Sequence, residues 1–431
     1  MFTHRPFRMA AVGGLFLSLL MLGSPWAAFA ASGWSPAVVI TPSRTSAAIS
    51  AFAVSSTGNE LWVTGSPAVG GYLVQAAQRP VGGAWGPQTT VFSATGGFGS
   101  TVQSIYVSIS PDNSATAVWL VGGSMQVALR TPAGIWRKPV SAAAGFSPNQ
   151  LVVKFDAQGN GVAAWSQMNA AGSVVQALAW TASGVFGNVV TLSGLGQSEF
   201  TPDLAVNAAG AAVVVWSMPT TFGGSSYQID SATRPAGGNW SAATAVSPVL
   251  PQASLPRVAL DGSGSATALW ELGTTIDAAT RPAGGAWGSP TIIETTSLVG
   301  SDALASDASG NVTAVWAMHD PTNGVSSLRS ATRPAGGPWG APASLGTCGS
   351  TCVPYLAAAR DGSITAVVWA NSPAVDASVR LGLGTWAPAV VSSSFSQLTN
   401  LVVGSNSFAS VAWTTGIHVK YHVALVESDF R

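Results

Sequence analysis

Three stretches, IDSATRPAGGNWSAA from Ile229, IDAATRPAGGAWGSP from Ile276 and LRSATRPAGGPWGAP from Leu328, recur about fifty residues apart in this chain. Self-similarity at such a period marks one supersecondary unit that buries its apolar faces against copies of itself. The tryptophans extend the repeat over the whole sequence. One series closes the quoted motif: Trp34, Trp85, Trp136, Trp240, Trp287, Trp339 and Trp386, with Phe186 in the remaining place. A second series ends a short apolar run: Trp62, Trp119, Trp165, Trp216, Trp270, Trp316, Trp369 and Trp413. Of the seventeen tryptophans only Trp26 and Trp180 fall outside both series, so one repeat must explain nearly all of them.

Within one period the pattern is four strands. RVALD (257–261) is short and apolar, DGSG suits a tight hairpin, and SATALWEL (265–272) alternates small and large residues. TIDAATR, the turn PAGG and AWGSPTII complete the unit. Helical periodicity of useful length is missing after the first thirty residues. Four short strands per fifty residues predict propeller blades. Counting second and fourth strands separately gives eight of each, provided that Trp34 in GWSPAVVI is counted. That copy has no blade before it, and the last repeat lacks a fourth strand of its own. The expected fold is therefore an all-β, eight-bladed β-propeller of four-stranded antiparallel blades, closed by an N-terminal strand that leaves no sheet edge exposed at the seam.

The repeated motif reads as the turn between third and fourth strands. Pro282 fixes its own φ, Gly284 and Gly285 permit positive φ, and Trp287 begins the returning strand over the blade's apolar layer. Arg281 stands just before the turn, where it can lie over that ring or bond turn carbonyls. Arg79, Arg130, Arg234, Arg281, Arg333 and Arg380 are accordingly read as structural. Trp180 takes the arginine's place in the copy closed by Phe186, which suits packing better than ligand binding.

On these residues the hairpin resembles a degenerate Asp-box, the S-x-D-x-G-x-T-W turn of sialidase-like propellers. Thr280 matches the first position, Gly284 the glycine and Trp287 the tryptophan, with Pro282 where that family has aspartate. The resemblance covers about a sixth of the chain and implies a propeller. It does not bring the sialidase catalytic apparatus, an arginine triad with a tyrosine–glutamate pair and an aspartate. No F/Y-R-I-P segment is present, the arginines mostly belong to the turn series, and sialidases have six blades.

Composition narrows the function classes. The 431 residues are 47% apolar and only 8% charged, with zero formal net charge, so no basic stripe is available for nucleic acid. Residues 1–30 read as a secretory signal: His4, Arg5 and Arg8 precede an apolar run, and Ala28 to Ala30 supply small residues. The run is shorter than the roughly twenty residues a bilayer span needs. Residues 31–431 are then a single propeller domain of an exported protein (periplasmic, extracellular or cell-surface) without a membrane span, expected to be a monomer. In an oxidising compartment Cys348 and Cys352 can close a small local disulfide. It would stiffen one loop rather than hold the fold.

Propeller ligands usually sit over the central funnel. Aligning the innermost strands on the following tryptophan puts Ile49, Tyr106, Val152, Asp203, Arg257, Ala303, Leu356 and Asn400 at one level, with Asp302 and Tyr355 one residue earlier. These differ from blade to blade where the turn residues do not. Tyr106, Asp203, Arg257, Asp302, Tyr355 and Asn400 are the candidate ligand-binding residues, with His319 beside Asp320 in a variable loop. Asp203 and Arg257, on adjacent blades, can also form a purely structural ion pair. Glu199 and Glu271 read as loop carboxylates without an evident partner. His418 and His422, about 13 Å apart along a strand, are too distant to share a metal. DAQGN, DGSG and DASGN lack calcium-loop spacing and read as hairpin turns. No nucleophile elbow, P-loop or dinucleotide fingerprint appears, so no catalytic residue, metal or cofactor is assigned. The expected function is an exported, non-catalytic module that recognises a glycan or a protein. The rivals are a degenerate sialidase-like glycoside hydrolase and a purely structural envelope protein.

Overall fold

The computed structural model describes residues 38–40, 49–95, 101–144, 148–169, 172–195, 202–220, 226–251, 253–295, 299–320, 324–348, 352–371, 374–392, 397–404, 408–415 and 418–425. Every regular element among them is a β-strand, and the strands pair into eight antiparallel sheets, which fits eight blades. The blades span 49–95, 102–144, 148–191, 203–251, 253–295, 299–348, 354–392 and 397–425. No helix among the described residues is long and apolar enough to cross a membrane. Residues 1–37 and Glu199, with the expectations placed on them, lie outside the described residues.

Blade 5 shows why the repeat folds as it does. Its strands are Ala253–Leu260, Ala266–Leu272, Thr275–Arg281 and Thr291–Thr295, each paired with the next. Neighbouring blades cover both faces of the second strand. Residues 266–270 are therefore all buried, and apolar side chains fill both faces of the strand, Thr267 being the one polar residue among them. Trp270 packs with Ala266 and Ala268 against Val213, Val215 and Ile229 of blade 4. Trp316 of blade 6 meets Leu269 and Ile276 of blade 5 in the same way. Each tryptophan of this series thus fills a seam with the preceding blade.

The hairpin between first and second strands is organised by an acidic side chain. Asp261 Oδ1 accepts the amides of Ser263 and Ser265, each at 2.9 Å, and Gly264 takes a φ of +89°. Asp156 and Asp307 do the same for Asn160 and Asn311. Blade 1 departs from the tryptophan register. Trp62 is the third residue after the turn residue Asn59, whereas Trp119 is the fifth after Ser114, so Thr64 stands at the level of Trp119. The side chain still points to the same face because strand periodicity is two.

The motif hairpins differ in three respects from the sequence reading. Only the first glycine has positive φ, between 65° and 68° at Gly82, Gly237, Gly284 and Gly336. The second donates its amide to the proline carbonyl, as Gly285 does to Pro282 at 2.9 Å. Trp287 precedes the returning strand, which starts at Thr291; it is half-buried against the apolar cluster shared by blades 4 and 5, and its indole N–H donates to Ser231 Oγ of blade 4 at 2.8 Å. The arginines reach across seams more than they bond their own turns. Arg333 donates to Thr267 Oγ1 of blade 5 at 3.0 Å, and Arg380 to Thr313 Oγ1 and Thr332 Oγ1 of blade 6. Arg130 bonds Gln78 of blade 1. Ring contacts occur as well, with Arg79 5.9 Å from Trp85 and Arg380 4.8 Å from Trp386. Trp180 is buried, stacked on Phe186 and edge-on to Phe155.

Val38–Val39 pairs antiparallel with His418–Leu425, Val38 opposite Tyr421 and Val39 opposite Lys420. The innermost strands of successive blades touch, and that of blade 8 touches that of blade 1. Cys348 and Cys352 are joined by a disulfide at the end of blade 6.

Candidate functional site

The level of each inner-strand residue follows from its partner on the second strand. Tyr106, Asp203, Arg257 and Asn400 pair with Val118, Val215, Leu269 and Ala412, each just before a tryptophan. Tyr355 pairs with Val368 and so joins this level in place of Leu356, because the turn of blade 7 is one residue longer. In blade 1 the equivalent residue is Ala51, opposite Val63, and not Ile49. Asp302 sits one residue earlier than Ala303, opposite Trp316, as the spacing implies.

Irregular backbone brings the charged groups together. The pairing of first and second strands shifts between Ser254 and Arg257, between Val299 and Asp302, and between Leu398 and Asn400. In these three blades the shift ends at a candidate residue, while in blades 2 and 3 it ends at Ser104 and Val152. A bulge re-aims the side chain that follows it, which is why bulges collect at functional rims.

The result is a cluster on blades 4 to 6. Arg257 Nε donates to Asp302 Oδ1 at 2.9 Å, and the Asp302 side chain is fully buried. The ion pair is thus made with Asp302, whereas Asp203 Oδ2 accepts the amide of Val258 at 2.9 Å. Glu271 is no isolated loop residue. It is the penultimate residue of the second strand of blade 5, and its charge interacts with Asp302 and Arg257. Burial, with the Asp302 charge adding to it, pushes Glu271 up to about 8 against the pull of Arg257. Burial likewise pushes Asp302 up to about 6 although Arg257 opposes it. Burial disfavours the charge of Arg257, but Asp302, Asp203 and Glu271 outweigh it and its pKa is raised. Asp302 Oδ2 and Glu271 Oε1 are both buried without a hydrogen-bond partner.

The remaining candidates are dispersed. Tyr106 lines a central cavity of about 670 Å³ formed mainly by the innermost strands of blades 1, 2, 3 and 8. Its hydroxyl is engaged by the carbonyl of Leu151 on the next blade, and burial raises it to about 12. Tyr355 is half-buried, with its pKa raised by burial. Asn400 is placed by its backbone pairing. His319 ends the second strand of blade 6, three residues beyond the partner of Asp302, with Nδ1 3.3 Å from Ser326 Oγ. Sequence reasoning joined Asp203, Arg257 and Asp302, and missed Glu271. The signal for it was available: Glu271 follows Trp270, two residues beyond the partner of Arg257.

Neither a family model nor a curated protein matches the sequence. Solved structures do. The Dos1 propeller superposes with a TM-score of 0.54 at 10% identity, over 91% of this chain and 96% of that one. The polysaccharide lyase Uly1 gives 0.52 at 10% identity, over 91% and 92%. At that identity the likeness is one of fold. With eight antiparallel sheets among the described residues, seven of four strands and one of five, the chain has the fold of a β-propeller.

Proposed function

We propose that this chain is an exported, non-catalytic recognition module that binds a glycan or a protein on the propeller face carrying Asp203, Arg257, Glu271 and Asp302. The observation that carries the reading is the pair of buried, unpartnered oxygens, Asp302 Oδ2 and Glu271 Oε1, beside Arg257. An unsatisfied buried polar atom costs about 1–3 kcal/mol, so the folded protein gains when a ligand hydroxyl or amine supplies the missing bonds. Export, with residues 1–30 as leader and 31–431 as a single domain, is supported by the disulfide. Replacing Asp203 and Arg257 together by Ala should abolish retention on a glycan array while the protein still melts cooperatively. Unchanged retention by the double variant rejects this site.

One observation favours the degenerate sialidase-like hydrolase as a second reading. A carboxyl held protonated near neutral pH beside an ionised neighbour is what a general acid needs. On that reading a glycan retained on the array is cleaved, and Glu271→Gln abolishes cleavage without abolishing binding. Binding without any cleavage leaves the recognition module.

The reading also includes closure of the ring by the N-terminal segment, supported by the pairing of Val38–Val39 with the third strand of blade 8. Deleting residues 32–40 should expose that edge and give an aggregating or early-melting protein. A truncated chain that melts like the intact one rules the closure out.

A further inference from the structure

The seams between blades are near-copies, and the seam between blades 3 and 4 breaks the pattern. At three other seams a motif arginine finds acceptors on the preceding blade. Arg333 uses Thr267, Arg380 uses Thr313 and Thr332, and Arg130 uses Gln78. The equivalent positions on blade 3 are Val162 and Ala179, which accept nothing from a side chain. Among the described residues the Arg234 side chain accordingly has no hydrogen bond or ion pair; Asp156 reaches it only through its longer-range field. Arg281 also lacks a partner, but Trp287 ties its seam through Ser231.

At the Arg234 seam there is instead a groove of about 600 Å³, within the usual size of a small-ligand site. Its walls carry Arg234, Phe186 and Trp240, with buried Trp180 behind Phe186, the two rings stacked with centroids 6.1 Å apart. Blade 3 is built for this arrangement. Trp180 replaces the arginine there, and it fits only because its strand partner is Gly161, where a Cβ would come within 2.1 Å of the indole. Asp156, also on the wall, does not compete for a ligand's donors. Its oxygens already accept the amides of Gln158 and Asn160 and the Asn160 side chain. Burial disfavours the charge on Arg234, a cost that a bound anion offsets.

We propose that this groove is a binding site for an anionic sugar unit, whose carboxylate pairs with Arg234 and whose ring face lies on Phe186 and Trp240. A guanidinium fork matches a carboxylate bidentately, and aromatic faces suit the apolar face of a pyranose. The site is separate from the Arg257 cluster, so it stands or falls independently of the reading above.

Calorimetric titration of the intact chain with a glucuronic-acid tetrasaccharide and with a neutral glucose tetrasaccharide tests it. The acidic probe should bind in preference. Arg234→Gln should weaken it about tenfold or more, the scale of one charge-assisted hydrogen bond, with Tm unchanged because no protein partner is lost. Arg380→Gln, which strands two threonine hydroxyls, should lower Tm and leave binding intact. Arg257→Ala should leave this binding unchanged. Equal affinity for both probes, no binding of the acidic probe, or full affinity in Arg234→Gln overturns the assignment.

Discussion

Trp270 and Trp287 belong to one blade and recur with the same period, yet they occupy different environments. Trp270 is fully buried in the seam with blade 4, under cover on both faces of its strand. Trp287 is half-buried at the turn end, held by one hydrogen bond to Ser231. Equal repetition therefore does not mean equal weight. The second-strand residues repeat because a sheet covered on both faces takes apolar side chains and the few polar ones that find a partner, as Thr267 and Thr313 do, and the hairpin residues repeat because a tight turn tolerates few backbones. At the second-strand ends, where neither constraint holds fully, blade-specific groups such as Glu271 appear.

The contrast can be broken by substitution. Trp270→Ala should cost ~3–5 kcal/mol, as for other fully buried large aromatics, read as a loss of unfolding free energy in denaturant melts. Trp287→Ala should cost about 1–2 kcal/mol, from partial burial and one hydrogen bond. Equal costs would mean that the hairpin tryptophans belong to the core after all.

The smallest expected effect sharpens the comparison at the strand end next to Trp270. Glu271 and Asp302 hold their protons more tightly in the folded chain than in the unfolded one, at about 8 and about 6 against ordinary values of 4.5 and 3.8. Their contribution to stability is then fully present below about pH 4 and is lost as pH rises through 6 and 8. Tm should fall between pH 5 and pH 9, and Glu271→Gln should flatten the upper part of that fall. Parallel profiles for variant and parent would show that Glu271 does not titrate in this range.

Turn chemistry and strand periodicity were legible because each is short-range. Asp at the start of DGSG and Gly at its end specify the hairpin whatever surrounds them, and the alternation of small and large residues in SATALWEL announces a strand. Aligning inner strands on the next tryptophan failed at Ile49 and Leu356, since Trp62 is displaced by two residues and blade 7 has a turn one residue longer. The Arg257–Asp302 pair was legible only as nearness of neighbouring blades, and its choice over Asp203 was not. Two strand bulges, invisible in the residue pattern, decide it.

By itself, then, the sequence determined an all-β chain of repeated four-stranded units, the hairpins that join them and the apolar layers between them. Those follow from local backbone preference and from which side chains can leave water. The tertiary structure alone decided which charges meet, which oxygens of Asp302 and Glu271 are left unpartnered, and why Arg234 faces Val162 and Ala179 while Arg380 faces two threonines. The physical reason is the same in each case. Contacts across a seam join residues about fifty positions apart, and their partners are set by register to a single residue, which no local pattern encodes.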